Sequence, residues 1–151
     1  MRYRAFLPLL AAWGMWAADY TGPRPPKPDT LYLVHADNLI ATETGEAKQD
    51  KDTYSVAGAT SPARTPLAEP IFLLQSEKVS PETLELYRFE VKNGKRELTI
   101  SNRRRGARPL HLSVTRLEKG LYRVEAADPL ENGEYAVSPS GSNRVFCFEV
   151  Y

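Results

Sequence analysis

Two histidines, one cysteine and a run of arginines are the residues of this chain whose types and spacing could do chemistry. His35 and Asp37 would share a face if they sat on one strand, because side chains alternate with period two. Two ligands do not build a metal site, since catalytic zinc takes three protein ligands and structural zinc four. His111 has no ligand partner at metal-binding spacing. Both histidines therefore read as ordinary strand residues. Asp50 and Asp52 could open a calcium loop, but Lys51 lies between them and no acidic residue closes a loop of EF-hand length. The nucleophile elbow, the phosphate loop and the dinucleotide fingerprint are all missing. Carboxylates are scattered, so no acid–base pair can be nominated. The sequence points to no catalytic residue, no metal ligand and no cofactor, and the chain reads as a non-enzyme.

Arg103, Arg104, Arg105 and Arg108 form the one concentrated charge. Arginine forks hold phosphate, sulfate and carboxylate groups bidentately, so these four are the candidate polyanion-binding residues. Their expected partner is an acidic polysaccharide or another protein at the cell envelope. No aromatic residue interleaves them, so base stacking and nucleic acid are not indicated. The plainer reading is a solvated loop that keeps sheet edges from pairing. Cys147 sits among apolar neighbours and reads as a small buried hydrophobe. The sharper reading is a disulfide between chains, since one cysteine cannot pair within its own.

The segments that must position these residues begin with a leader. Arg2 and Arg4 precede an apolar run that ends on Ala17 and Ala18, the layout of a secretory signal peptide over residues 1–18. From Ala5 to Ala18 the run is too short to span a bilayer, which takes about 20 residues. Export to the periplasm or the extracellular space is the expectation, with no transmembrane segment in the mature chain. Losing Arg2 and Arg4 takes Lys+Arg from 20 to 18 against 19 acidic residues, so the net charge passes from +1 to −1. Such a balance does not call for nucleic acid or lipid as a partner. Residues 19–30 hold four prolines and read as an extended tether. The domain is then residues 31–151.

Twelve prolines and nine glycines favour many short elements over long helices. Leu31 to Thr42 reads as one long strand with a bend at Asp37-Asn38, and Glu43 to Asp52 as a solvated loop. Thr53–Ala57 alternates as a strand. Ser61 to Pro70, with a proline every fourth residue, must be an extended crossover. Ile71 to Leu74 is a buried strand, and Ser80-Pro81 opens a single helical turn capped by the serine. Asn93-Gly94 predicts a two-residue hairpin turn that pairs Phe89 with Leu98 and Tyr87 with Ile100. Two more strands follow from Leu110 to Ala126 around Gly120.

The chain ends on two apolar runs, Tyr135 to Val137 and Arg144 to Tyr151. Phe146, Phe148 and Val150 share one face of the last strand, with Val145, Cys147 and Tyr151 on the other. This strand is therefore expected to be covered on both sides. Ahead of it, Leu130-Glu131-Asn132-Gly133-Glu134-Tyr135 places a turn glycine before a strand tyrosine. That pattern resembles the tyrosine corner of immunoglobulin-like and fibronectin-III-like sandwiches, with Leu130, Gly133 and Tyr135 as the structural corner. The antibody-type cysteine pair is absent, Val137 standing two residues after Tyr135. The combination is similar to small exported bacterial proteins. The expectation is all-β: a single immunoglobulin-like Greek-key sandwich of about eight or nine strands. Its function would be non-catalytic binding, with the alternative of a surface-assembly subunit. In that case the Pro-rich segment or the terminal strand would add to a neighbour's sheet.

Overall fold

The structure is a computed structural model that describes residues 19–100 and 106–151. The expected leader lies outside the described residues. Among them the chain is all-β, with fourteen short strands and one 3-10 turn. The strands are β1 (Leu31–His35), β2 (Asn38–Ala41), β3 (Glu43–Glu46), β4 (Lys48–Asp50) and β5 (Thr53–Ala57). Next come β6 (Arg64–Thr65), β7 (Ile71–Gln75), β8 (Leu84–Arg88), β9 (Glu90–Lys92) and β10 (Lys95–Thr99). The chain closes with β11 (Leu112–Glu118), β12 (Leu121–Ala126), β13 (Gly133–Pro139) and β14 (Arg144–Val150).

These strands make three sheets. A wide sheet has the order β11-β12-β7-β1-β2, a middle sheet β3-β14-β13-β8, and a small sheet β4-β5-β10-β9. All of these neighbours are antiparallel, while β6 joins the middle sheet parallel to the end of β14. The wide and middle sheets sandwich the main core. Leu33, Phe72 and Val124 meet Tyr135, Val137, Phe146 and Phe148 there. Phe72 and Phe148 pack edge to face at 5.0 Å, and Tyr135 stacks on Phe148 at 5.6 Å, both within the favoured separation for aromatic pairs. Ala136, Val145 and Cys147 point the opposite way, and with Phe89 and Leu98 they make a second core under the small sheet. The middle sheet is thus buried on both faces, which explains why its last two strands read as continuous apolar runs.

Several sequence expectations need correction. Fourteen strands replace eight or nine, because segments read as one strand or as loop resolve into pairs. Leu31 to Thr42 is a hairpin: His35 pairs with Asn38 across a two-residue turn whose first residue, Ala36, has φ 52°. Glu43 to Asp52 is not a loop, since β3 pairs with β14 and β4 with β5. The Asn93-Gly94 turn has both residues at positive φ, 51° and 71°, and sets the expected register for three pairs from Lys92↔Lys95 to Glu90↔Glu97. Beyond that the chain leaves at Phe89, and β8 pairs with β13 instead. The pairs Phe89 with Leu98 and Tyr87 with Ile100 do not form as backbone partners. Their side chains still gather in the second core. Ser80 makes no side-chain cap to the 3-10 turn; its carbonyl accepts from Thr83 instead.

Two polar anchors fix the sandwich. Asp29, in the segment expected to be a free tether, is only 8 % exposed. Its Oδ1 accepts the backbone N–H groups of Glu77, Lys78 and Val79, each at 2.9 Å. Its own N–H donates to the Gln75 carbonyl, and Arg144 donates to its carbonyl. The Pro-rich segment is therefore fastened to the domain at this residue. Burial works to raise the Asp29 pKa, but the three amides and Arg144 outweigh it and hold the carboxyl below the usual range. The second anchor is Tyr135, 1 % exposed, whose hydroxyl donates to the Glu131 carbonyl at 2.7 Å. Gly133 lacks positive φ, contrary to its reading as a turn residue. A Cβ there would lie 3.1 Å from Nε of Arg88, whose guanidinium crosses this position to reach Glu131.

Two outcomes follow from these anchors. Asp29→Asn keeps the shape and tolerates the φ of 53° but removes the charge. A group with a depressed folded pKa stabilises above its unfolded value and loses that contribution as pH falls through the folded one. Urea unfolding should therefore show a loss of about 1–2 kcal/mol at pH 7, closing as the pH falls through the lowered folded pKa. An equal gap at pH 7 and below that pKa would refute the charge-assisted role. Tyr135→Phe should cost about 1 kcal/mol, the net worth of one hydrogen bond, and an unchanged thermal unfolding curve would show the corner bond contributes nothing.

Candidate ligand groove

The small sheet covers one face of the middle sheet and leaves hollows on both sides of Val145. Arg96 of β10 spans the gap. Its side chain is 1 % exposed, the largest fully buried side chain in the chain's described part. Nη1 and Nη2 donate to the two carboxylate oxygens of Glu43 at 2.5 and 3.2 Å, Nη2 also to the Ala57 carbonyl at 2.8 Å, and Nε to the Gly58 carbonyl at 3.0 Å. The planar fork thereby ties β3 of the middle sheet to β5 of the small one. Near it, Glu134 is 5 % exposed and accepts the Ser61 backbone N–H at 2.6 Å. Burial pushes the Glu134 carboxyl up, with the Ser61 amide and Arg96 opposing. Cys147 lies on the same face, fully buried, its thiol raised by burial to about 12. A thiol so protonated and enclosed is unreactive. In this structure it is a buried hydrophobe with a free thiol.

On one side of Val145 the sheets part around a cavity of about 540 Å³. Tyr54, Leu98 and Ile100 form its small-sheet wall, Glu85, Tyr87 and Ala136 its middle-sheet wall, and the Ser140–Asn143 turn its lip. Period two puts Glu85 and Tyr87 here, since Leu84 and Leu86, which alternate with them, face the main core. The Tyr87 hydroxyl donates to Glu85 at 2.5 Å. Burial, then that bond, raises the Tyr87 pKa well above the ordinary phenol value, so Tyr87 stays neutral and donating. Polar groups on the lip are partly committed: the Ser138 hydroxyl donates to the Arg144 carbonyl at 2.6 Å, and the Gln49 amide to the Lys51 carbonyl at 3.2 Å. A second hollow of about 320 Å³ opens on the far side of Val145, rimmed by Glu46, Lys48 and Lys95.

The residues singled out from sequence lie elsewhere. Arg103, Arg104 and Arg105 lie outside the described residues, and Arg108 is exposed. His35 ends β1 and Asp37 sits in the following turn, both exposed, so they do not share a strand face. His111 is exposed and stands 3.5 Å from Asp128. Among the described residues no three His, Cys, Asp or Glu side chains gather as metal ligands. The terminal strand β14 is paired on one side by β13 and on the other by β3 and β6, so it lies inside the middle sheet and not at an edge. Of the Pro-rich segment, Asp29 is fastened to the domain. What sequence reading missed was Arg96, which shares the parity of Leu98 and Ile100 on the hairpin's apolar face. A charge on that face is the signal that it had to be buried and paired.

No protein-family model, curated protein or solved structure matches the chain. No described helix is long and apolar enough to cross a membrane.

Replacing Arg96 with Met would leave Glu43 and two carbonyls without their donor. The expected loss is about 2–3 kcal/mol, the lower end for breaking a buried pair because Glu43 is partly exposed. Adding Glu43→Gln should recover part of it. Urea denaturation of the four proteins of this cycle measures both, and a single mutant as stable as wild type would mean the clamp contributes nothing.

Proposed function

We propose that this chain is an exported, non-catalytic binding module of immunoglobulin-like kind, working in the periplasm or outside the cell and taking its ligand in the groove between the small and middle sheets. The observation that carries the reading is the groove itself. Its volume of about 540 Å³ falls in the range of ligand sites, roughly 300–1,000 Å³, and it combines an apolar floor with a few convergent polar groups. Its walls are set on strands, and Arg96 ties the two sheets together through Glu43 and Ala57, so the site is formed before any ligand arrives. Export rests on the leader at 1–18, and the immunoglobulin-like kinship on the corner bond of Tyr135. The single carboxylate in the groove wall is engaged by a phenol, an arrangement that orients a ligand and offers no acid–base pair for turnover.

The test is to obstruct the mouth. Ser140 is exposed on the lip, so Ser140→Trp should fill the opening without disturbing either core. Peptides and oligosaccharides selected from libraries on the wild-type protein should lose at least about tenfold in affinity, roughly 1.4 kcal/mol, at an unchanged melting temperature. Ligands that bind both proteins equally would place the binding surface elsewhere.

A further inference from the structure

We infer that the groove receives a basic side chain, lysine or arginine, presented by a partner polypeptide. The inference rests on the groove being a ligand site and adds the chemistry of what enters it. Among the described residues lining it, Glu85 is the single charged side chain. Tyr54, Tyr87 and Phe89 bring three aromatic rings to the same cavity. A cation gains from both, from the carboxylate by charge-assisted hydrogen bonding and from aromatic faces through the ring quadrupole. An anion would meet Glu85 with no described cation in the wall to offset it.

Tyr87 spends its donor on Glu85, Ser138 on Arg144, and Gln49 one amide hydrogen on Lys51. Acceptor capacity remains, because the one phenolic bond uses only Oε2 of Glu85 and leaves its second oxygen without a hydrogen-bond donor from the described residues. Ammonium and guanidinium groups are donors without acceptor atoms, so they match a carboxylate oxygen that still has room to accept. Tyr87 keeps Glu85 in place through burial of its own ring, which is only 8 % exposed. The open side of the groove runs along the β13–β14 turn, leaving room for the flanking residues of a polypeptide that carries the basic side chain.

The experiment titrates the isotope-labelled full chain with three capped tripeptides, Gly-Lys-Gly, Gly-norleucine-Gly and Gly-Glu-Gly, and with maltotriose, following backbone amide resonances. The lysine peptide should shift Tyr87 and the Ser140–Asn143 turn in a saturable way, about tenfold more tightly than the norleucine peptide. Glu85→Gln, which still lets the Tyr87 hydroxyl donate to residue 85, should bring the lysine peptide down to the norleucine level and leave the norleucine peptide unchanged. Equal binding of lysine and norleucine, or indifference to Glu85→Gln, overturns the inference. Shifts of the same amides by maltotriose alone also overturn it while leaving the groove as a binding site. No saturable shift with any of the four probes counts against both.

Discussion

The constraint on which this molecule depends is that its middle sheet is apolar on both faces. A sheet with one oily face needs one cover, and β13 and β14 need two. The wide sheet supplies the first, against Tyr135, Val137, Phe146 and Phe148. The small sheet supplies the second, against Ala136, Val145 and Cys147. Full burial of a phenylalanine stabilises by about 1.5–3 kcal/mol, so most of the cohesion sits between the wide and middle sheets, where the large side chains are. Tyr87, Phe89 and Leu98 complete that second core, and the bidentate Arg96–Glu43 pair together with two backbone carbonyls fastens the small sheet further.

Much of this was legible in the residues. Alternation picked out the strands, the valine and phenylalanine parity of β14 announced burial on both sides, and Asn93-Gly94 set a turn and three pairs of register. The failures share a cause: they are places where a distant strand decides. Ala36 carries no mark of a turn residue, and it turns because β7 takes the far side of β1 while β2 folds back on the near side. Glu43 to Asp52 is too polar to read as strand, and it becomes strand because β14 and β5 offer open backbone groups. Phe89 leaves the hairpin because β13 takes its amide through the Glu134 carbonyl at 2.8 Å. Local propensity is silent on each of these choices.

Buried polar groups do the work that specificity requires here. Asp29 gathers three consecutive amides that would otherwise face a folded surface with no acceptor, and it thereby decides where the Pro-rich segment lands. Glu134 collects the Ser61 amide, and the Ser61 hydroxyl in turn donates to the Cys147 carbonyl at 3.2 Å. That pair of bonds pins the crossover before β6 to the middle sheet. An apolar contact could supply comparable energy, but it would not select one register.

The groove follows from the same asymmetry of side-chain size. Wherever the middle sheet presents alanine, valine or cysteine toward the small sheet, volume is left over, and protein interiors do not leave such volume empty without loss of contact. At one end the guanidinium and stem of Arg96 occupy part of it, beside a hollow of about 320 Å³. At the other no side chain of comparable size enters, and the wall instead carries Tyr54, Tyr87 and Glu85 around a cavity of about 540 Å³. Ala136 is small, and beside it a neutral phenol is bonded to a carboxylate, so this part of the gap stays open. The clamp and the opening thus lie in one gap between the same two sheets.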